Sequence, residues 1–170
     1  KQKTAYEISL GLVGSEMCIR DRQGRRRAVS AGLVETKSAG PDRALSLALV
    51  VKEISLSTAY VAVTPEELLS IWRRGELNEL LASWHEEALR RAIRGLDRVD
   101  EIVVDCFDEE RLRRKLLPVA REIGAELILE EKADLEYLEV AAASLLARAV
   151  REELMRAGVT GRKWGCITKL

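Results

Sequence analysis

The sequence predicts a layered α/β fold in which helices flank a mixed sheet. Segments with helical spacing of apolar residues alternate with short apolar runs of strand length, and capping and stop residues separate the two kinds of segment. The 170 residues are 47% hydrophobic and 33% charged, which is typical of a globular domain with one core. Alternating helices and buried strands are the pattern from which layered α/β domains are built.

The first half of this pattern gives a helix, a strand and two more helices. Apolar periodicity predicts a helix from Pro41 to about Ser55, and the β-branched and aromatic run at residues 57–63 (STAYVAV) predicts a strand. Residues 64–67 (TPEE) form a capping box with proline at the first helical position, so a short helix begins there and ends near residues 74–75. A long amphipathic helix then covers residues 77–96.

The second half gives two more strands, each followed by a helix. Residues 101–105 (EIVVD) are a short apolar run ending in an acid, as in a buried parallel strand. Asp108 can cap the next helix, which Pro118 should bend or divide. A strand is predicted at residues 125–130 (AELILE) and a helix rich in small residues at 138–157.

The composition excludes some classes of protein. No uninterrupted apolar run approaches the roughly 20 residues of a membrane-spanning helix, so we expect no membrane partner. Lys plus Arg and Asp plus Glu both number 28, so binding of nucleic acid would need a local basic groove. The three cysteines, at positions 18, 106 and 166, form neither a disulfide framework nor a close-spaced metal motif. Such a small, odd number of cysteines predicts a protein of a reducing, cytoplasmic compartment.

The first 22 residues resemble translated adapter sequence. Back-translation of residues 1–8 (KQKTAYEI) gives a common short-read sequencing adapter, and residues 12–22 (LVGSEMCIRDR) give the transposase end of the same library design. The two stretches share a reading frame and lie a barcode length apart. We therefore expect residues 1–22 to be an assembly artefact that stands in place of native sequence. A short signal peptide is the alternative, but Glu7 and Glu16 fit it poorly.

Two acids follow predicted strands. Asp105 ends one strand, and Asp134 lies four residues beyond Glu130, which ends the next. Ligands of such sheets gather at the carboxyl ends of the strands, and carboxylate oxygens suit Mg²⁺ and Mn²⁺. Two strand-end carboxylates could therefore share a divalent metal ion. On spacing alone, two solvated surface charges are the favoured interpretation, because most acids of such a chain lie on the surface.

A longer motif surrounds the second acid. Residues 130–148 (EEKADLEYLEVAAASLLAR) resemble the K-A-D-x-K-Y-x-x-V-A-A-A-S-I-L-A-K/R segment of type 2 ribonuclease H, the HII/HIII group. Four shorter segments resemble the same family in the same order, and they support the resemblance only as a series. They are GLVETKSAGPDRAL at 32–45, TPEE at 64–67, ELNELLASWHEEALRRAI at 76–93, which is closest to the HIII branch, and EIVVDCF at 101–107.

This resemblance implies a ribonuclease H-like fold and an endonuclease. The family hydrolyses the RNA strand of RNA–DNA hybrids, or duplexes with embedded ribonucleotides, and four carboxylates hold two Mg²⁺ or Mn²⁺ ions. By position, Asp105 and Asp134 correspond to the third and fourth carboxylates. Lys37, with Thr36 beside it in the family's D-S-K triplet, would approach a phosphate, and Lys132 would lie beside the scissile region. We also expect the chain to act as a monomer.

The sequence departs from the family at both ends. The family's first strand carries D-E-S/A-G-x-G, which supplies two acids, but here that region is adapter-like. We therefore expect a fold that lacks the first strands, and a chain that is inactive although its parent gene encodes a nuclease. The expected division is an artefact at residues 1–22, a partial catalytic domain at 23–158 and an uncertain tail at 159–170. A non-catalytic α/β nucleic-acid-binding module is the alternative, and a junction resolvase is disfavoured by the K-A-D and A-A-A-S blocks.

Several residues that could carry chemistry are expected to be structural instead. His85 is the only histidine, and we expect a hydrogen-bonding role for it. Trp72 and Trp84 are expected to pack in the core or at a domain edge and not to stack on bases. Cys106 is expected to be a small apolar filler. The basic residues at 111–115 are expected to form a solvated helix face balanced by nearby acids.

Overall fold

The computed structural model describes residues 12–19, 32, 40–63, 65–156 and 163–168. Within these residues it has five strands, five α-helices and one short 3-10 helix. In chain order the elements are β1 (Leu12–Ile19), α1 (Pro41–Ile54), β2 (Ser55–Ala62), α2 (Pro65–Arg73), α3 (Leu77–Ala92), β3 (Glu101–Asp105), α4 (Glu109–Ile123), β4 (Glu126–Glu130), the 3-10 helix (Ala133–Leu135), α5 (Leu138–Arg156) and β5 (Lys163–Thr168).

The described strands form two sheets. In the first, β2 lies between β1 and β5 and pairs with both in the antiparallel direction, so that Ala59 is opposite Glu16 on one side and Cys166 on the other. In the second, β3 and β4 pair in parallel without a register shift. Because parallel strands end at the same edge, the second sheet brings the chain segments after Asp105 and Glu130 together.

Two of these strands lie where no strand was predicted. β1 falls within residues 1–22, which the sequence analysis set aside as adapter-like, and β5 falls within the tail at 159–170. Both were outside the expected catalytic domain, so no element was assigned to either stretch. The other strands and the helices occur in the predicted order, with ends that differ by a few residues.

Three groups of buried side chains hold the described elements together. One joins α1 to α5, one packs β2 against α2 and α3, and one fills the space between α3, β3 and α4. Trp84 is 4% exposed and belongs to the second group, which agrees with its expected packing role. Trp72 is 46% exposed near the end of α2, so it is not a core residue.

Helix α4 is well defined at both ends. The side chain of Asp108 accepts a hydrogen bond from the amide of Arg111 at 3.2 Å, as an N-cap does, and Gly124 ends the helix at φ 71°. Pro118 does not divide the helix, so that part of the prediction was wrong. The proline is exposed while its neighbours Val119 and Ala120 are buried against the core, and this packing outweighs the missing backbone hydrogen bond.

No helix within the described part of the chain is long and apolar enough to cross a membrane.

Candidate metal centre

The carboxyl edge of the parallel sheet carries two acids side by side. Asp105 and Glu130 are the last register pair of β3 and β4. Residues paired in this way on parallel strands present their side chains on the same face of the sheet. The amide of Cys106 also donates to the carbonyl of Glu130 at 2.9 Å, which continues the pairing one residue past β3.

The loop after β4 folds back over this edge. Lys132 has a left-handed backbone conformation (φ 61°, ψ 32°), which turns the chain into the 3-10 helix. The amide of Ala133 then donates a hydrogen bond of 3.3 Å to Oδ1 of Asp105. Asp134 is the next residue, and its side chain is half-buried. The loop therefore brings Asp134 to the edge at which Asp105 lies.

Tyr137, at the end of the loop, bonds both to the end of β4 and to Ala133. Its hydroxyl donates to Oε2 of Glu130 at 3.2 Å, and its amide donates to the carbonyl of Ala133 at 2.8 Å. The hydrogen bond to Glu130, partial burial and the surrounding carboxylates together raise the pKa of Tyr137 above its usual range. The hydroxyl therefore stays protonated and remains a donor at neutral pH.

The structure describes three of the five residues predicted for the site. Asp105 ends β3, Asp134 follows the residue whose amide bonds Asp105, and Lys132 is exposed in the turn between β4 and the 3-10 helix. Thr36 and Lys37 lie outside the described residues. Sequence reasoning did not single out Glu130 as a functional residue, although it is the last residue of a predicted strand.

The donor chemistry at this edge suits a hard divalent cation. Asp105 and Asp134 supply carboxylate oxygens, and Mg²⁺ is commonly held by one or two carboxylates together with water and substrate phosphates. Among the described residues, no three His, Cys, Asp or Glu side chains come close enough together to form a protein-only metal cage. The two acids could therefore supply part of the ligand set that such a cation takes.

The neighbouring cysteine and histidine have packing roles. Cys106 packs at the margin of the α3–β3–α4 core, and burial followed by the charges of Glu109 and Glu131 raises the pKa of its thiol. It therefore remains a neutral thiol, as expected of an apolar filler. The ring of His85 packs against Phe107, with centroids 5.8 Å apart and an interplanar angle of 32°.

The basic residues at 111–115 are paired with acids at the surface. Arg113 bonds Glu109 at 2.7 Å, and Arg114 and Lys115 both contact Glu79 of α3. The hydrogen bond from Arg114 is the main reason that the pKa of Glu79 lies below its usual range. This arrangement agrees with the solvated, charge-balanced helix face expected from the sequence.

Comparison with known proteins gives one family. The model of the family described as ribonuclease HII matches residues 37–164, well over half of the chain. The ribonuclease HII of Methanopyrus kandleri is 36% identical over 94 residues, which are 53% of this chain and 42% of that protein. The chain spans less than half of the length of the curated relatives it matches.

Two solved structures have a similar fold. The crystal structure of ribonuclease H2 from Pyrococcus horikoshii superposes with a TM-score of 0.67 at 25% identity, covering 86% of this chain and 72% of that one. Ribonuclease HII from Archaeoglobus fulgidus, solved as a complex with PCNA, gives a TM-score of 0.62 at 28% identity, covering 84% and 64%. The matched family range begins at Lys37, one residue after Thr36, and extends six residues beyond Gly158.

Proposed function

The chain belongs to the ribonuclease HII family, and from this premise we propose that its native residues form part of an endoribonuclease acting on RNA–DNA hybrids or on duplexes with embedded ribonucleotides. The type 2 ribonuclease H family and the layered fold expected from the motifs are both confirmed. A hybrid would be distinguished from duplex DNA by its shape and its 2′-hydroxyls.

One observation carries the proposal beyond family membership. The hydrogen bond from the amide of Ala133 to Oδ1 of Asp105 ties the K-A-D loop to the end of β3. This bond places the segment that carries Asp134 next to the strand end that carries Asp105, at an edge where α/β folds bind ligands. This supports a site for Mg²⁺ or Mn²⁺ to which Asp105 and Asp134 contribute.

We assign the acids of this edge to metal binding and the neighbouring lysines to contacts with the substrate. When bound, two divalent ions supply activation of the attacking water and stabilisation of the leaving 3′ oxygen. Asp105 and Asp134 would hold them. The ammonium group of Lys132 would draw a substrate phosphate toward the acids, and Lys37 and Thr36 are proposed as further phosphate contacts on the basis of the motif alone.

We propose in addition that the chain in its present form binds without cutting. Asp105 and Asp134 account for two of the four carboxylates of the family's reaction, and residues 1–22 read as adapter. A nucleic-acid-binding module without catalysis is the alternative function. A cytoplasmic location and a monomeric state remain predictions from the sequence.

Cleavage of a labelled RNA–DNA hybrid in Mn²⁺ tests both parts. We expect no turnover by this chain, and turnover once residues 1–22 are replaced by the genomic sequence upstream of the junction. In the restored protein Asp105→Asn should abolish cleavage, while Glu126→Gln, which alters an exposed acid at the opposite end of β4, should not. Turnover by the present chain that Asp105→Asn abolishes would refute the inactivity, and a restored protein indifferent to Asp105→Asn would refute the site.

A further inference from the structure

The loop that carries Asp134 has mostly exposed side chains. Lys132, Leu135 and Glu136 are all exposed, and Leu135 is 65% exposed although it is apolar. Only Ala133 is fully buried. The packing of Ala133 and the hydrogen bonds of the loop therefore set its position together.

Those hydrogen bonds converge on Ala133. Its amide donates to Asp105, and its carbonyl accepts from the amides of Glu136 at 3.2 Å and Tyr137 at 2.8 Å. The amide of Ala141 in turn donates to the carbonyl of Tyr137 at 3.1 Å, which joins the loop to α5. Any displacement of Tyr137 would therefore move Ala133, and Asp134 with it.

We propose that Glu130 and Tyr137 form a clasp that holds the loop carrying Asp134 against Asp105. The clasp is the hydrogen bond from the Tyr137 hydroxyl to Oε2 of Glu130. It joins the last residue of β4 to the residue that precedes α5. Both side chains are half-buried, so water competes with the bond less than it would at the surface. Glu130 and Tyr137 are thus positioning residues.

The clasp gives Glu130 a role that differs from holding a metal. Its Oε2 accepts the tyrosine hydroxyl, and this bond requires an acceptor oxygen and not a metal ligand. The clasp predicts that the acceptor oxygen of Glu130 matters and that its charge does not. This distinction can be measured.

Three variants separate the clasp from other roles. Tyr137→Phe removes only the donor hydroxyl, Glu130→Ala removes the acceptor, and Glu130→Gln keeps an acceptor oxygen but no charge. Tyr60→Phe is the matched control, because Tyr60 is also half-buried but lies on β2. Two readouts apply to the full chain: amide hydrogen exchange at Ala133 without metal, and Mn²⁺ affinity from electron paramagnetic resonance.

The expected results differ between the variants. Tyr137→Phe and Glu130→Ala should each speed exchange at Ala133 about three- to tenfold, the range for one lost hydrogen bond, and should weaken Mn²⁺ binding roughly tenfold. Glu130→Gln and Tyr60→Phe should leave both values near those of the parent chain. The double variant Glu130→Ala/Tyr137→Phe should be no worse than either single variant, since both remove one bond.

Two results would overturn the clasp. One is unchanged exchange at Ala133 in Tyr137→Phe. The other is a loss of Mn²⁺ affinity in Glu130→Gln as large as in Glu130→Ala, with Tyr137→Phe unaffected, which would make Glu130 a ligand or a charge contact. The metal part of the proposal rests on the proposed function and fails separately: faster exchange in the variants of a chain that binds no Mn²⁺ would support the clasp and refute the metal site.

Discussion

The amide of Ala133 reaches across 28 residues of sequence to donate a 3.3 Å hydrogen bond to Oδ1 of Asp105. Ala133 is fully buried, whereas Asp105 is exposed apart from this contact with the loop. One oxygen of the carboxylate thus fixes the loop, and the other can face a ligand. The same side chain links the fold of the edge to its proposed chemistry.

Replacement of Asp105 should separate these two roles. Asp105→Ala leaves the buried amide of Ala133 without its acceptor, and we expect a loss of about 1–3 kcal/mol in the free energy of unfolding. Asp105→Asn keeps an acceptor oxygen, so its stability should stay close to that of the parent chain while Mn²⁺ affinity falls. Urea unfolding followed by circular dichroism measures the first effect, and a Mn²⁺ titration measures the second. Equal stability of the two variants would contradict the structural role of the hydrogen bond.

The core between α3, β3 and α4 should contribute most of the stability of the elements that carry Asp105. Leu116 is fully buried there, and Leu116→Ala should cost about 2–5 kcal/mol in the free energy of unfolding. Leu49→Ala is the matched control, because Leu49 on α1 is 63% exposed and should change stability by less than about 0.5 kcal/mol. Chemical denaturation of the two variants side by side checks the difference. A similar loss in both would show that this group is not the core.

Much of the parallel sheet could be predicted because its signals are local. The apolar run ending at Asp105, the capping acid Asp108 and the stop at Gly124 each act within a few residues, and the structure has all three. The division of α4 at Pro118 was wrong because the outcome depends on Val119 and Ala120 meeting a core built from distant segments. At Pro118, the packing of the helix against the core outweighed the local preference of proline to end a helix.

The candidate site was less predictable than the fold around it. A motif resemblance singled out Asp105 and Asp134, but the roles of Glu130 and Tyr137 at the edge depend on the path of the loop between them. That path requires a left-handed residue, and Lys132 gives no hint of it, since glycine or asparagine would be the usual signal. A hydrogen bond that closes such a loop cannot be inferred from residue spacing.

The N-cap of α4 should make stability depend on pH in the acid range. The bond from the Arg111 amide is the main cause that lowers the pKa of Asp108 from its ordinary value of 3.8. A lowered pKa in the folded state means that the contribution to stability is present above pH 3.8 and is lost as the pH falls through the folded-state value. Asp108→Ala should lower Tm at neutral pH and flatten the dependence below pH 4. Thermal unfolding from pH 2.5 to 7 tests this, and parallel curves for variant and parent would contradict it.

Lys132 should favour binding of nucleic acid through its charge and lower the stability of the fold through its left-handed backbone conformation. Its φ of 61° costs a residue with a side chain about 1–2 kcal/mol, which exceeds the entropy cost of glycine, so Lys132→Gly should raise the free energy of unfolding by roughly 0.5–1 kcal/mol. The same variant removes an exposed positive charge beside the two acids, so it should weaken binding of an RNA–DNA hybrid in Mg²⁺ and reduce the slope of log affinity against log salt by about 1. Lys132→Arg should keep the slope, and Lys52→Ala on α1 is the remote control. A gain in stability without any change in the salt slope would mean that Lys132 shapes the turn and does not contact the nucleic acid.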